Sequence, residues 1–246
     1  MIAGPATMAE VAALVGDPAR ANILDTLLDG RAFTATELAF AAKVGAPTAS
    51  AHLAKLVEAR LLSVVKQGRH RYYRLASPLV ARMLESIMAV AAIEMPPRYR
   101  PRTPRDDALL QARTCYDHLA GKLGVAIADA LVARSQVIFN DDAGEVTADG
   151  VKFFRGLGMD LSLEKRSSPR RFCRPCLDFS ERRFHLAGAL GAMLCRQCFE
   201  LGWIERRRDS RAVAITTRGR MGLRDSFGVE LPPPVSTERS RREIAA

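Results

Sequence analysis

One seven-residue segment occurs twice in the sequence, and this repeat restricts the fold of the second half of the chain more than any other feature. Segments 118–124 and 185–191 are identical at six of seven positions. A Cys-x-Asp precedes each copy and a Thr-x-x-Gly follows it, in the same order. Internal similarity of this kind is typical of one supersecondary unit that occurs twice and stacks on its copy. We therefore predict two winged-helix-like repeats, each with the order helix, strand, turn, strand, helix, at about 115–160 and 176–230.

Proline-rich segments divide the 246 residues into domains. Four prolines are interleaved with four arginines in residues 95–105, and proline disfavours helical geometry, so this segment is predicted to be an extended linker. Residues 231–246 contain three consecutive prolines and then mostly polar residues, so this tail is predicted to be disordered. The predicted domains are therefore a DNA-binding and dimerisation domain at 1–94 and a regulatory domain at 106–230.

Helix start signals follow one another in the first domain. Asp17 and Pro18 are typical of an N-cap followed by proline at the first helical position, and Thr34 with Glu37 is typical of a capping box. Pro47 opens a further helix, and a strand–turn–strand pattern follows it. This order is that of a winged helix-turn-helix. The predicted fold class is thus mainly α with small β-hairpin wings (α+β).

The helix that opens at Pro47 and the hairpin after it carry a surface suited to DNA. Small and polar side chains on one face of a helix can reach base edges in a major groove, and basic side chains on a hairpin can contact phosphates. The predicted DNA-binding residues are Thr48, Ser50, Ala51, His52, Lys55, Lys66, Gln67, Arg69, His70 and Arg71. The net charge of +10 favours the same polyanionic partner.

Residues 8–92 resemble the ArsR/SmtB family of transcriptional regulators, through the segments 17–24, 47–56 and 66–75. The resemblance implies a homodimeric repressor that leaves its operator when an inducer binds, with the first and last helices of the domain forming the dimer surface. Such a dimer is expected on a palindromic site in double-stranded DNA. The positions at which the family binds metals hold other residues here, because segment 37–43 has no thiol and segment 78–92 has no His or Cys.

All five cysteines lie in the predicted regulatory domain, 106–230, and they leave two alternative metal sites to consider. The first candidate set consists of two CxxC pairs at a spacing common in zinc modules: Cys173, Cys176, Cys195 and Cys198. Four thiolates would suit zinc, cadmium or lead. The second candidate set takes one Cys and one His from each repeat: Cys115, His118, Cys176 and His185. It would form if the repeats packed around a pseudo-twofold axis.

Other roles for these residues stay open at this stage. Cysteine is often a small buried apolar residue, and His118 and His185 would commonly cap helices. Nearby arginines, including Arg174 and Arg183, would lower the pKa of a neighbouring thiol and favour redox sensing.

The sequence predicts a regulator and not an enzyme. We find no nucleophile–base pair, phosphate loop or acid pair at a characteristic spacing. An odd number of cysteines without an export signal or a long apolar run predicts a cytoplasmic protein with reduced thiols. The predicted function is a DNA-binding repressor that is released by a soft metal or a thiol-reactive species. The alternative is a regulator with a small-molecule or redox signal and purely structural cysteines.

Overall fold

A computed structural model of the protein describes residues 5–68, 70–94, 103–140, 143–162, 172–207 and 210–232. Two units can be distinguished by their internal contacts, an N-terminal unit (Met1–Ile87) and a C-terminal unit (Met88–Ala246). Most of the predicted linker and tail, residues 95–102 and 233–246, lies outside the described residues. No helix within the described ranges is long and apolar enough to cross a membrane.

The N-terminal unit alternates short helices with a small sheet. Its described elements are α1 (Pro5–Gly16), α2 (Pro18–Leu27), β1 (Phe33–Thr34), α3 (Ala35–Ala42), α4 (Ala46–Glu58), β2 (Leu62–Gln67), β3 (His70–Leu75) and α5 (Pro78–Glu94), which continues past the unit boundary. The Asp17 carboxylate accepts the backbone N–H of Arg20 at 2.9 Å and caps α2. Thr34 and Glu37 form the capping box of α3. Both predicted caps are confirmed.

The sheet of the N-terminal unit places a hairpin beside the helix-turn-helix. The strand order is β1-β3-β2, all antiparallel, with Phe33 opposite Tyr73 and Leu62 opposite Leu75. Buried leucines from α2, α3 and α4 fill the space between the helices: Leu24, Leu27, Leu38, Leu53 and Leu56. The unit is a winged helix-turn-helix, in which α4 is the second helix of the motif and the β2–β3 hairpin is the wing.

The C-terminal unit repeats one order of elements. After α6 (Pro104–Gln111), the first half contains β4 (Arg113–Cys115), β5 (His118–Ala120), α7 (Gly121–Ala133), β6 (Val137–Asn140), β7 (Ala143–Val146) and α8 (Ala148–Gly156). The second half contains β8 (Arg174–Leu177), β9 (Phe184–Ala187), α9 (Gly188–Glu200), β10 (Ile204–Arg206), β11 (Val213–Ile215) and α10 (Thr217–Phe227). Each half therefore has the order hairpin, helix, hairpin, helix. The hairpin before each first helix is absent from the sequence-based prediction.

The repeated glycines have a structural reason. Gly121 and Gly188 adopt φ of +73° and +80° between strand and helix, a conformation that favours glycine. One turn later, a Cβ at Gly124 would collide with the Leu119 carbonyl, and Gly191 has the same relation to Leu186. The glycines therefore let each helix turn sharply back onto its own hairpin.

The two halves of the C-terminal unit pack against each other reciprocally. Helix α7 of the first half contacts β9 of the second, and α9 contacts β5. The inner faces of both helices meet in one apolar core, which includes Leu123, Ile127, Leu190 and Leu194. The hairpins β4–β5 and β8–β9 are thereby brought close to each other at the edge of this core.

Candidate nucleic-acid interface and candidate metal centre

Helix α4 has one buried face and one exposed face. Ala49, Leu53 and Leu56 are buried at helical spacing against the rest of the N-terminal unit. The predicted DNA-binding residues Thr48, Ser50, Ala51 and Lys55 are exposed on other faces. The helix begins after Gly45, which provides no side-chain cap. This placement suits entry into a major groove.

His52 differs from the other predicted DNA-binding residues because it is half-buried. Its Nδ1 atom lies 3.3 Å from Nη1 of Arg20 on α2. The same guanidinium donates to the carbonyls of Leu14 at 2.7 Å and Ala13 at 3.0 Å. Arg20 therefore links α1 and α4, and His52 is the contact point on α4.

The wing carries its polar residues at the tip of the hairpin. Lys66 lies opposite Arg71, and Gln67 lies opposite His70. All four side chains are exposed. Arg69, also predicted to bind DNA, lies outside the described residues. Two basic side chains on opposite strands of an exposed hairpin suit contact with phosphates.

The hairpins of the C-terminal unit each pair a cysteine with a histidine. Cys115 lies directly opposite His118 in the β4–β5 register, and Cys176 lies directly opposite His185 in the β8–β9 register. Directly opposed residues of an antiparallel pair project on the same face. Each hairpin therefore presents one thiol and one imidazole together.

The two pairs converge on one buried site, the Cys–His cluster (Cys115, His118, Cys176 and His185). One ligand atom from each of the four lies within 4.8 Å of those from the other three, and all four residues are buried. The Nε2 atoms of His118 and His185 are 3.1 Å apart, and the rings stack with centroids 5.0 Å apart. Of the two sets that the sequence leaves open, the structure assembles the second. Both histidines lie in strands, and neither caps a helix.

A carboxylate faces the outer nitrogen of each imidazole. Asp117 Oδ1 lies 2.9 Å from Nδ1 of His118, and Asp178 Oδ2 lies 3.6 Å from Nδ1 of His185. Metal-binding histidines commonly direct their second nitrogen at a carboxylate in this way. Nδ1 of His185 is buried without a hydrogen-bond partner in the described structure. The outer contacts of the cluster thus resemble those of a metal site in which Nε2 is the ligand atom.

The surroundings of Cys176 and His185 favour the protonation states in which these side chains bind a metal. A hydrogen bond with Cys115 holds the pKa of the Cys176 thiol well below its usual range, against the effect of burial, and the two imidazoles act in the same direction. Burial lowers the pKa of His185 and favours its neutral form. Thiolate and neutral imidazole are the forms that bind metals. Two sulfur and two nitrogen donors fit a soft or borderline divalent ion such as zinc.

The two CxxC pairs are not brought together in the described residues. Cys173, Cys195 and Cys198 lie in the apolar core, whereas Cys176 packs with Cys115 in a separate cluster. Cys173 and Cys176 are three residues apart in a largely extended segment, where side chains alternate between faces. One therefore points into the core and the other into the Cys–His cluster.

The three core cysteines also lack the predicted activation by arginine. Burial raises the pKa of Cys173, Cys195 and Cys198 to about 12. Even at Cys195, where arginines act in the opposite direction, burial dominates. These thiols are therefore small apolar core residues, and the prediction of low thiol pKa values from basic neighbours is wrong for them.

The fold and the exposed polar helix define the N-terminal unit as a DNA-binding module of the winged helix-turn-helix class. Residues 15–65 match a family model described as a helix-turn-helix domain. The chain is 42% identical over 224 residues to the HTH-type transcriptional regulator YdfF of Bacillus subtilis (strain 168), and the alignment covers 91% of this chain and 98% of that protein. The chain belongs to the HTH-type transcriptional regulators.

Two solved structures each match less than half of this chain. A homodimeric winged helix-turn-helix DNA-binding domain from Mycobacterium bovis, from a possible ArsR-family transcriptional regulator, is 28% identical, covers 39% of this chain and 89% of its own, and has a TM-score of 0.35. The transcriptional repressor BigR from Xylella fastidiosa is 23% identical, covers 37% of this chain and 88% of its own, and has a TM-score of 0.32.

Proposed function

We propose that the protein is a dimeric, ArsR-type transcriptional repressor that binds a palindromic operator and is released when a soft divalent metal ion binds the Cys–His cluster. The observation that carries this proposal is the convergence of two thiols and two imidazoles at one buried site in the C-terminal unit of a DNA-binding regulator. A regulator that is controlled by an effector needs an effector site made of residues other than those that bind DNA.

The donor set supports a zinc-class ion. Cys₂His₂ sets bind zinc with four protein ligands and leave no open coordination position. Cadmium accepts the same thiolate-containing set. Each half of the C-terminal unit supplies one Cys and one His, so the bound ion would join the two halves.

Exposed apolar side chains on the outermost helices of the winged helix support a dimer. Leu79, Ile87 and Val90 of α5 are 66%, 46% and 60% exposed, and Met8 of α1 is exposed as well. These residues belong to the two helices that the family resemblance places in the dimer surface. A second copy of the chain is the occupant that we propose for this face.

The test is an operator-binding titration with the full chain. Fluorescence anisotropy of a labelled operator is measured with and without Zn²⁺ or Cd²⁺, for wild type, Cys176→Ser and the core control Cys198→Ala. We expect metal to weaken operator binding of wild type and Cys198→Ala by roughly 5–150-fold. Cys176→Ser keeps its operator affinity and loses the response. Equal metal responses of Cys176→Ser and wild type would overturn the effector site.

A second candidate signal is an oxidant. The Sγ atoms of Cys115 and Cys176 are within 4.8 Å of each other. A hydroperoxide can oxidise two such thiols to a disulfide, with one molecule of hydrogen peroxide yielding two molecules of water. The test adds hydrogen peroxide, then dithiothreitol, and separately Zn²⁺ to the operator complex. If peroxide releases the operator, dithiothreitol restores binding and Zn²⁺ has no effect, the oxidant is favoured over the metal.

A further inference from the structure

Asp178 lies at the centre of a buried set of hydrogen bonds beside the Cys–His cluster. Its Oδ1 accepts hydrogen bonds from Nη2 of Arg113 at 2.7 Å and from the backbone N–H and hydroxyl of Ser180 at 2.9 Å and 2.7 Å. Its Oδ2 accepts the backbone N–H of Gly121, the first residue of α7, at 2.7 Å. The same Oδ2 lies 3.6 Å from Nδ1 of His185. One carboxylate therefore adjoins the cluster, β4 and the start of α7.

The 3.6 Å distance between Asp178 Oδ2 and His185 Nδ1 leaves this nitrogen without a hydrogen bond. Nδ1 of His185 is buried and has no hydrogen-bond partner in the described structure, and 3.6 Å is beyond hydrogen-bond distance. Coordination of His185 through Nε2 places its remaining proton on Nδ1, where a buried N–H requires an acceptor. Asp178 Oδ2 is the carboxylate oxygen beside it. If the carboxylate moves to close this gap, the N–H is satisfied and Asp178 shifts relative to its other partners.

Arg113, one of the other partners of Asp178, also contacts α6, the first helix after the predicted linker in the sequence. The Arg113 side chain is 1% exposed, and its Nη1 donates to the Leu109 carbonyl of α6 at 3.0 Å. Its guanidinium also stacks over the Phe179 ring at 4.1 Å. Helix α6 is the first described helix after residues 95–102, which connect it in the sequence to α5. Arg113 therefore connects Asp178 to α6, and the Gly121 N–H connects it to the first turn of α7.

We infer that Asp178 is the positioning residue that couples occupancy of the Cys–His cluster to α6, and thereby to operator binding. This inference rests on the proposed function, since it specifies how metal binding acts on the DNA-binding unit. Coupling energy in proteins is carried by such contiguous hydrogen-bond networks where one element has two arrangements. The structure shows the Asp178 carboxylate 3.6 Å from Nδ1 of His185, and the second arrangement that we infer is the bonded one in the metal-bound protein.

Asp117 provides a matched control within the same chain. It precedes His118 in the first half and lies 2.9 Å from Nδ1 of that residue, yet its side chain is 49% exposed. Asp117 bonds its own neighbour in sequence, whereas Asp178 bonds residues of β4 and α7. Removing either carboxylate weakens the support of one imidazole, but only Asp178 lies between the cluster and α6.

The experiment compares Asp178→Asn with Asp117→Asn in the full chain, with Zn²⁺ as the probe. Zinc affinity is measured by competition with a chromophoric chelator, and operator affinity is measured separately at saturating zinc. We expect both variants to bind zinc roughly 10–100-fold more weakly. At saturation, Asp117→Asn releases the operator as wild type does, whereas Asp178→Asn keeps the operator affinity of its zinc-free form. Full release by zinc-saturated Asp178→Asn would overturn the inference.

Two further measurements keep the inference testable if Asp178→Asn does not fold. Ser180→Ala removes one hydroxyl that bonds Asp178 and accepts from Arg113, and we expect it to reduce the zinc response partially. In wild type, nitrogen-15 labelling of histidine should show a slowly exchanging Nδ1 proton of His185 only with zinc. Its absence overturns the inference. A wild type that binds no zinc, or keeps its operator with zinc bound, overturns the proposed function itself.

Discussion

His118 and His185 are 67 residues apart in the sequence, yet their Nε2 atoms lie 3.1 Å apart inside the C-terminal unit. Each histidine ends up there because its hairpin is turned back by a glycine and packed on the helix of the other half. The contact therefore exists only while the two halves are docked. Any ion that binds both imidazoles will stabilise that docking.

Metal binding is expected to raise the stability of the folded chain through this site alone. A ligand that binds only the native state adds about 2.7 kcal/mol to the free energy of unfolding at a free concentration 100 times its Kd. We expect urea denaturation to show an increase of this order for wild type with zinc. Cys115→Ser should show none. Cys195→Ala serves as the control, since Cys195 lies in the core, and its increase should equal that of wild type.

The wing makes a prediction about salt dependence. Lys66 and Arg71 are opposed and exposed near the tip of the hairpin. If each neutralises one phosphate, Lys66→Ala and Arg71→Ala should each reduce the slope of log K against log salt by about 1. The measurement is operator affinity over a series of KCl concentrations. Lys152→Ala, at an exposed position of α8, should leave the slope unchanged. Slopes that match wild type in both wing variants would remove the wing from the interface.

The features of the fold that could be predicted from the sequence are those that depend on residues close together in the sequence. The caps at Asp17 and Thr34 are hydrogen bonds across three residues, so the residues that make them stand together in the sequence. The strands β4 and β5 have three residues each, too few for an alternating pattern to be detected. A two-residue connection, Tyr116-Asp117, was the available signal for that hairpin.

The residues of the candidate site are brought together by tertiary contacts, which the spacing of cysteines in the sequence does not predict. The CxxC motifs suggested one set of four thiols, but strand alternation directs Cys173 and Cys176 to different environments. The similarity between segments 118–124 and 185–191 was the better guide, since it predicted that Cys115, His118, Cys176 and His185 could meet. The role of Asp178 could not be predicted, because its partners Arg113 and Gly121 lie 65 and 57 residues away.

Arg20 is expected to stabilise the N-terminal unit and to position the DNA-binding helix. Its guanidinium donates to two carbonyls of α1 and contacts His52 of α4. We expect Arg20→Met to lower the free energy of unfolding by about 1.5–3 kcal/mol, the range for a hydrogen bond to a charged group. Operator affinity should fall as well. Arg74→Met, at an exposed residue of β3 that bonds Ser63, is the control and should change stability by less than about 0.5 kcal/mol.

The apolar face of α5 predicts a change of oligomeric state on substitution. A carboxylate at Leu79 or Ile87 would have to be buried without a partner if this face is covered by a second copy. Sedimentation velocity should therefore show monomers for Leu79→Glu and Ile87→Glu, and dimers for wild type. Met221→Glu changes an exposed apolar residue of α10 and should remain dimeric. Dimers of the α5 variants at the same concentration as wild type would place the interface elsewhere.

The buried core thiols predict a loss of stability at alkaline pH. Burial raises the pKa of Cys195 from 9.0 to about 12, so the thiol stays protonated in the folded chain at pH 10 but ionises in the unfolded chain. Stability from this thiol is therefore complete below pH 9 and decreases as the pH rises, by about 1.4 kcal/mol at pH 10. Cys173 and Cys198 have the same shift and add to the effect.

Urea denaturation of wild type and Cys195→Ala at pH 8 and pH 10 measures this contribution. Other groups titrate in the same interval, so the relevant quantity is the difference between the two proteins. The decrease in unfolding free energy from pH 8 to pH 10 should be smaller in Cys195→Ala by about 1.4 kcal/mol. Val213→Ala removes atoms from the same core without a titratable group, so it should be less stable at both pH values with an unchanged decrease. Equal decreases in Cys195→Ala and wild type would show that the thiol ionises as readily in the folded chain as in the unfolded one.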